Sequence, residues 1–418
     1  MSAPTTTPPP AAAPVTTPPM TAAPPAAAPV TAPPMTAAPP AAAPPAAAPV
    51  TTPPPAAAPV AGVPVAGVPV AGVPVGYRYI GRALRARCPD RAALEAPFAP
   101  LERRAHLLLP RLASIRSALG ATPLVAVPSR GGRGTVWLKA EAANLTGTVK
   151  ARTAYALLCA AVARAGTPAV RLAEYSGGSL ALALAEMCAL LGLDVHLAVP
   201  YGSPERLTGA LRRYGAQVTH APRGTGFLGA MDEAARIAER EERHLLLQHC
   251  APEAVAVHRE QTGAEIVARL AREGIRPAVL AASVGSAGTL VGTAQALRAR
   301  WPGCRALAVF PAEAPYGDSR APDGTRRMSG TGGLGHGLRQ PLLAPYEDGF
   351  AFAGVSYPQA LKAMGLLRRT QQIAVCSSAA GAWLSASRVI DEDLRGGHAV
   401  AVAAGRGTTE EWDHAAGH

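Results

Sequence analysis

From residue 135 to residue 310, short, mostly apolar runs alternate with stretches of helical periodicity, and no other feature restricts the possible folds so far. The apolar runs fall at residues 135–138, 169–172, 195–199, 217–220, 244–247, 278–283 and 306–310. Helical patterns occupy 150–164, 180–191, 205–214, 228–240, 254–273 and 290–300. Strands that are apolar on both faces and joined through helices predict a mostly parallel sheet covered on both sides, an α/β fold. In such sheets ligands bind beyond the carboxyl ends of the strands, so chemistry is expected in the turns from strand to helix. Ahead of them, residues 97–119 read as one more helix, stopped by Gly120.

Composition divides the chain. Residues 1–75 hold 24 of the 43 prolines, and no charged residue precedes Arg78. Repeats such as VAGVPVAGVPVAGVP have neither a helical nor a strand period and too little side-chain area to offset ordering, so they predict a disordered spacer of polyproline II character. A folded domain is expected over 76–405, with a smaller mobile lobe near 150–250, and a flexible tail over 406–418. The net charge of +12 comes from 40 basic and 28 acidic side chains, and all the basic ones are arginine except Lys139, Lys150 and Lys362. Spread singly and without interleaved aromatics, these arginines do not make a nucleic-acid surface. The six cysteines form no CxxC and no Cys/His cluster, which predicts reduced thiols in a cytoplasmic protein and no metal site. The N-terminus lacks the basic start and unbroken apolar run of a secretory signal, and a proline every five residues keeps the longest uncharged stretch from crossing a membrane.

Three Gly-containing turns carry the chemical signal. NLTGTVKART, residues 144–153, puts Lys150 at the opening of a helix, where the positive end of the dipole disfavours an ammonium. A lowered amine pKa is what Schiff-base chemistry requires, although such a turn by itself is also an ordinary helix-start lysine. EYSGGSL, residues 174–180, gathers Ser176, Gly177, Gly178 and Ser179 at a helix start, suited to a carboxylate or to a serine-capped tight turn. SVGSAGTL, residues 283–290, offers backbone donors from Gly285, Ser286, Ala287, Gly288 and Thr289 that match a phosphate dianion. A fourth turn, AVCSSAAGAW, places Ser377 and Ser378 before another helix. Residues 330–335 satisfy GxGxxG, but RRMS rather than a strand precedes them, so no dinucleotide site is expected.

In this order the turns resemble the fold type II pyridoxal phosphate enzymes, specifically the cysteine synthase and cystathionine β-synthase family with its tryptophan synthase β-like fold. The likeness runs from GATPLV at Gly120 to about Ser385. NLTGTVKAR is similar to NPTGSVKDR, YSGGS to the SGNTG loop, GSAGT to GTGGT, GLGHG to GIGAG and CSSAA to ISSGA. Residues 205–218 and 258–266 are similar to the ERRxxLxxxGAEV and HYxTTGPEI segments. The resemblance implies two lobes, each a mostly parallel sheet with helices on both faces. It also implies pyridoxal 5'-phosphate on Lys150, with its phosphate on Gly285, Ser286, Ala287, Gly288 and Thr289 and its ring nitrogen facing Ser377. A neutral Ser377 hydroxyl would donate to that nitrogen, which then need not be protonated. Ser176, Gly177, Gly178, Ser179 and Gln248 would hold the carboxylate of an amino-acid substrate. The implied activity is β-replacement or β-elimination on a serine-derived, O-activated amino acid through an aminoacrylate, with a small nucleophile as second partner, in a homodimer.

The chain departs from the family pattern in several places. Gly178 stands where the family has an Asn against the cofactor's 3-hydroxyl, Ala151 replaces the Asp of KDR, Ala287 replaces a glycine of the phosphate cup, and QHCAPEA replaces QFENPAN. His336 takes the alanine of GIGAG, as an accessory acid or base or as a packed side chain. These departures suggest a specialised branch making an unusual amino acid, such as a diaminopropionate-like product. Two readings compete with it. One is a catalytically degenerate relative that keeps the fold as a binding or regulatory protein; the other is a serine/threonine dehydratase-like ammonia-lyase.

Overall fold

The computed structural model describes residues 78–317, 325–331 and 338–418. The Pro/Ala-rich extension over 1–75, the GLGHG turn and His336 lie outside the described residues. In chain order the strands are β1 (Leu124–Pro128), β2 (Thr135–Ala140), β3 (Arg171–Tyr175), β4 (Asp194–Val199), β5 (Gln217–His220), β6 (His244–Leu245), β7 (Val279–Ser283), β8 (Arg305–Pro311), β9 (Ala351–Val355) and β10 (His398–Ala403). The helices before the first strand are α1 (Arg78–Arg87), α2 (Arg91–Glu95), α3 (Ala99–Leu108) and α4 (Arg111–Ala118). After β2 come α5 (Lys150–Ala165), α6 (Ser179–Leu191), α7 (Glu205–Arg213), α8 (Gly226–Arg240), α9 (Glu253–Val257), α10 (Ala264–Arg272), α11 (Gly288–Arg300), α12 (Tyr357–Gln371), α13 (Ser377–Arg388) and α14 (Thr409–Ala416).

Two sheets result. One runs β1-β2-β10-β7-β8-β9, parallel except for the β1–β2 hairpin; the other runs β5-β4-β3-β6 and is parallel throughout. All seven expected strands form. Three more join them: β1, the exposed edge strand β9, and β10, which lies between β2 and β7. Two expected helices are divided. Pro110, which has no N–H to continue a helical ladder, separates α3 from α4 within 97–119. A π-helical turn, His258–Gly263, interrupts 254–273 between α9 and α10. Residues 406–418, expected as a flexible tail, hold α14, closed at its start by a reciprocal Thr408 and Glu411 capping box.

The α5 sequence explains its position. Every residue from Ala151 to Ala163 is buried, as befits a helix that is apolar on nearly all sides, and Gly166 ends it in a left-handed conformation. Among the described residues no helix is long and apolar enough to cross a membrane.

The carboxyl end of β10 organises the neighbouring loops. Val149 N–H donates to Ala404 O at 2.9 Å, and Thr148 forms a β-bridge with Gly405. Cys376 N–H donates to Gly405 O at 2.9 Å, just before α13. Ser283 Oγ, at the end of β7, donates to Ser378 O at 2.6 Å. The starts of α5 and α13 therefore meet at the carboxyl end of β10, and α11 follows the neighbouring end of β7.

Candidate active site

Lys150 is the first residue of α5, and two opposing influences act on its ammonium. Burial lowers its pKa to about 8, while the Glu174 carboxylate pulls upward. Glu174 lies in β3 with no exposure, and burial raises its carboxyl to about 8 against the pull of Lys150 and of backbone N–H groups. Among those donors are Tyr175 N at 2.9 Å and Gln248 N at 3.1 Å. Gln248 Nε2 also donates to Tyr175 O at 3.3 Å, so the residue expected to assist the SGGS turn is fastened to the strand that leads into it.

His249, beside Gln248, was not singled out from the sequence. Its Nδ1 lies 2.6 Å from Tyr175 Oη and its ring stacks on Tyr175 with centroids 5.5 Å apart. Phe227 closes edge-on over both rings. Burial and the nearby Lys150 charge depress the imidazole to about 3, so it stays neutral.

The turn from Gly285 to Thr289 has the makings of an anion cup. The N–H groups of Ser286, Ala287, Gly288 and Thr289, just before and at the start of α11, make no hydrogen bond among the described residues. Ala287 adopts φ +76°, the left-handed region that favours glycine, so this turn holds backbone strain of about 1–2 kcal/mol. Gly285 cannot carry a side chain, because a Cβ there would lie 2.6 Å from Gly330 O. Beneath the cup, His258 is fully buried, with Nε2 3.1 Å from Thr289 Oγ1 and 3.2 Å from Thr153 Oγ1, and Nδ1 2.9 Å from Thr262 Oγ1. It thus links the helix of Lys150 to the helix of the cup. Burial, then the Arg152 and Lys150 charges, push its pKa well down.

The expected serines divide. Ser176 is buried and its Oγ accepts from Gly178 N at 3.2 Å, while Gly177, Gly178 and Ser179 open toward the surface at the start of α6. Ser377 is wholly buried at the start of α13. Lys150 and Ser377 lie at the carboxyl end of β10 and the cup follows the neighbouring end of β7, while the SGGS turn and Gln248 join Lys150 through Glu174.

The family model described as "Pyridoxal-phosphate dependent enzyme" matches residues 115–405. The chain belongs to the pyridoxal-phosphate dependent enzyme family. Its cofactor is pyridoxal 5'-phosphate. Within that family it is 32% identical over 190 residues to cysteine synthase B of Escherichia coli, covering 45% of this chain and 62% of that protein. It is 37% identical over 206 residues to N-(2-amino-2-carboxyethyl)-L-glutamate synthase of Cupriavidus metallidurans, covering 47% of this chain and 59% of that one. The matched region therefore spans about three fifths of these relatives' lengths. The fold is that of O-ureido-L-serine synthase, with a TM-score of 0.64 over 71% of this chain and 92% of that chain at 24% identity.

The residues present fit this cofactor. Thr146 Oγ1, in the loop leading to Lys150, is buried without a hydrogen-bond partner among the described residues. Together with the free donors of the cup and an amine of lowered pKa, it leaves polar valences for an anionic, aldehyde-bearing ring to satisfy.

Proposed function

We propose that this chain catalyses β-replacement on an O-activated serine, joining the three-carbon amino acid to a small nucleophile. The observation that carries the reading is Lys150 with its pKa near 8 at the head of α5, beside the donor-rich turn over Gly285 to Thr289. Bound pyridoxal phosphate supplies an electron sink that acidifies the α-proton of an attached amino acid. Lys150 Nζ would hold the cofactor and, once displaced, accept and return that α-proton, a role suited to an amine half neutral near pH 8. Ser286, Ala287, Gly288 and Thr289 would bind the phosphate through their N–H groups, with Gly285 giving the backbone its close approach. Ser176, Gly177, Gly178 and Ser179 would orient the substrate carboxylate at the start of α6, and Gln248 would hold that turn against β3. The Tyr175, His249 and Phe227 cluster would exclude water from one side of Lys150.

The named relatives support two product classes: cysteine, or an amine nucleophile carrying a 2-amino-2-carboxyethyl group. A specialised product of the second class agrees with QHCAPEA replacing the family's QFENPAN. The test is to reconstitute the purified protein with pyridoxal phosphate and offer O-acetyl-, O-phospho- and O-ureidoserine with sulfide or amino-acid amines, reading products by mass spectrometry. Turnover that disappears in Lys150→Ala supports the proposal. A protein that stays colourless after reconstitution, or that binds cofactor in Lys150→Ala as well as in the wild type, sinks it. The reading extends to a homodimer, which light scattering of the holoprotein checks.

A further inference from the structure

Two of the six cysteines meet although they are far apart in the chain. Cys88 follows α1 and is exposed, whereas Cys250 is 3% exposed and lies next to His249 in the segment after β6. Both are free thiols, and their side chains share a hydrogen bond. The packing of α1 on α8 holds them there, with Tyr79 N donating to Asp232 Oδ1 at 2.8 Å and Arg82 Nη2 to Glu239 Oε2 at 2.5 Å. Cys88 N donates to Leu84 O at 2.9 Å, and Leu84 is buried in the same apolar cluster as Cys250. Arg87 Nη1 donates to Leu245 O in β6. Neither cysteine belongs to the pattern shared with the family. Cys88 precedes the matched region 115–405, and Cys250 lies in QHCAPEA.

The environment gives the two thiols different roles. The hydrogen bond from Cys250 S–H lowers the pKa of the Cys88 thiol against the opposing effect of burial. The same bond, and then burial, raises Cys250, with Arg87 opposing and Glu174 reinforcing. Cys88 is therefore rich in thiolate and open to solvent, the form and place in which sulfur attacks an oxidant. Cys250 is a protonated thiol held against it. The other four, Cys159, Cys188, Cys304 and Cys376, are buried, and burial raises each of them, as befits inert thiols.

We propose that Cys88 and Cys250 form a redox site, closed by hydrogen peroxide into a disulfide that slows turnover by displacing the segment carrying Gln248 and His249. The Cys88 thiolate attacks the peroxide, forming an S–O bond as the O–O bond breaks and hydroxide leaves. The Cys250 sulfur then attacks the sulfenic sulfur, and the S–S bond forms as the S–O bond breaks. Two thiols are oxidised, one peroxide is reduced to two waters, and an external dithiol reverses the change. A disulfide is about 2 Å long, shorter than a contact between two thiols, so closing it draws Cys250 toward α1. The pull reaches the SGGS turn because Gln248 is tied to Glu174 and to Tyr175 O, and His249 to Tyr175 Oη. The effect on turnover rests on the function proposed above; the formation of the bond does not.

The experiment treats the full-length holoprotein, reduced and then freed of reductant, with equimolar hydrogen peroxide. One portion is alkylated and digested without reduction, and mass spectrometry should find a cross-linked Cys88–Cys250 peptide that dithiothreitol removes. In the other portion β-replacement should slow by about 10- to 100-fold, the scale of an ångström-sized misplacement, and recover with dithiothreitol. Cys88→Ser alters an exposed position, so the variant should fold, match the reduced wild type in turnover and lose both responses to peroxide. Failure to find the cross-link, or oxidation that stops on Cys88, overturns the redox site. A cross-link that leaves turnover unchanged overturns its coupling to the site. A chain that forms the cross-link but shows no turnover even when reduced supports the redox pair and sinks the proposed function instead.

Discussion

Arg152 grips Glu141 with two guanidinium nitrogens, Nε to Oε2 at 2.9 Å and Nη2 to Oε1 at 3.0 Å, with both side chains fully out of solvent. The same guanidinium reaches Glu265 Oε1 and Oε2 at 2.8 Å each, and Lys139 Nζ reaches Glu265 Oε2 at 2.6 Å. Thr122 Oγ1 and Asn144 Nδ2 donate to Glu141 at 2.7 and 2.9 Å. Two cations thus balance two carboxylates, and the network fastens the GATPLV segment and the NLTGTVK loop to the helix that begins at Lys150. Removing one partner from such a buried network leaves uncompensated charge.

Arg152→Met is therefore expected to lower the free energy of unfolding by about 3–5 kcal/mol. Urea denaturation of the purified variant measures it. Arg152→Lys should recover only part of the loss, because an ammonium cannot reproduce the planar fork that spans both carboxylates.

The second prediction concerns pH. Only the neutral Lys150 amine can attack the cofactor aldehyde, and burial puts its pKa at about 8. Below that value the rate at which apoprotein captures pyridoxal phosphate should fall roughly tenfold per pH unit, and above it the rate should level off. Glu174 raises the amine's pKa, so Glu174→Gln should move the midpoint to lower pH. Stopped-flow absorbance across pH 6 to 10 follows both. A midpoint that stays fixed in the variant would mean that Glu174 does not act on Lys150.

A third expectation follows from His258, whose ring fixes Thr289 on the cup side and Thr153 on the lysine helix. His258→Ala frees the Thr289 hydroxyl at a cost of about one hydrogen bond, 0.5–1.5 kcal/mol, which converts to a roughly 2- to 12-fold loss of cofactor affinity. Fluorescence titration of the apoprotein checks it. The Lys150 midpoint should not move in this variant, since the imidazole is neutral.

Much of this arrangement is legible in the sequence, for reasons that also explain what is not. Lys150 and the turns at 176–179 and 285–289 are local signals: glycine, hydroxyl and helix start lie within a few residues of one another. Strands β7 and β8 are equally local, being nearly continuous apolar runs, whereas β3 and β5 carry Arg171, Glu174, Gln217 and His220 and follow from their place in the alternation. Strand β10, HAVAVA, follows the buried helix α13 after GG and alternates two small apolar residues, so its period does not separate it from helix, although it sits at the centre of the larger sheet. Glu174 lies just past the apolar run at 169–172 and shows in the sequence only as a charge ahead of the SGGS turn. Glu411 accepts from Ser377 Oγ across 34 residues, from a segment whose composition suggested a tail, and His258 meets Thr153 across 105 residues. Pairings of that kind are set by tertiary packing and leave no periodicity to read.

Gly178 decides between a working enzyme and a degenerate relative. A Cβ at this position would meet nothing within 4 Å, and φ −163° is extended backbone open to any residue. Gly178 is also the N-cap of α6, where Asn is at least as favourable as Gly. Gly178→Asn should therefore fold with a stability change within about 0.5 kcal/mol of the wild type, checked by thermal denaturation. If the SGGS turn borders the cofactor as proposed, the new amide reaches its 3-hydroxyl, and the absorption band of the bound cofactor shifts while its affinity rises. A variant that folds but keeps the wild-type spectrum and affinity would place position 178 away from the ring. The glycine would then cease to be an argument that catalysis has been lost.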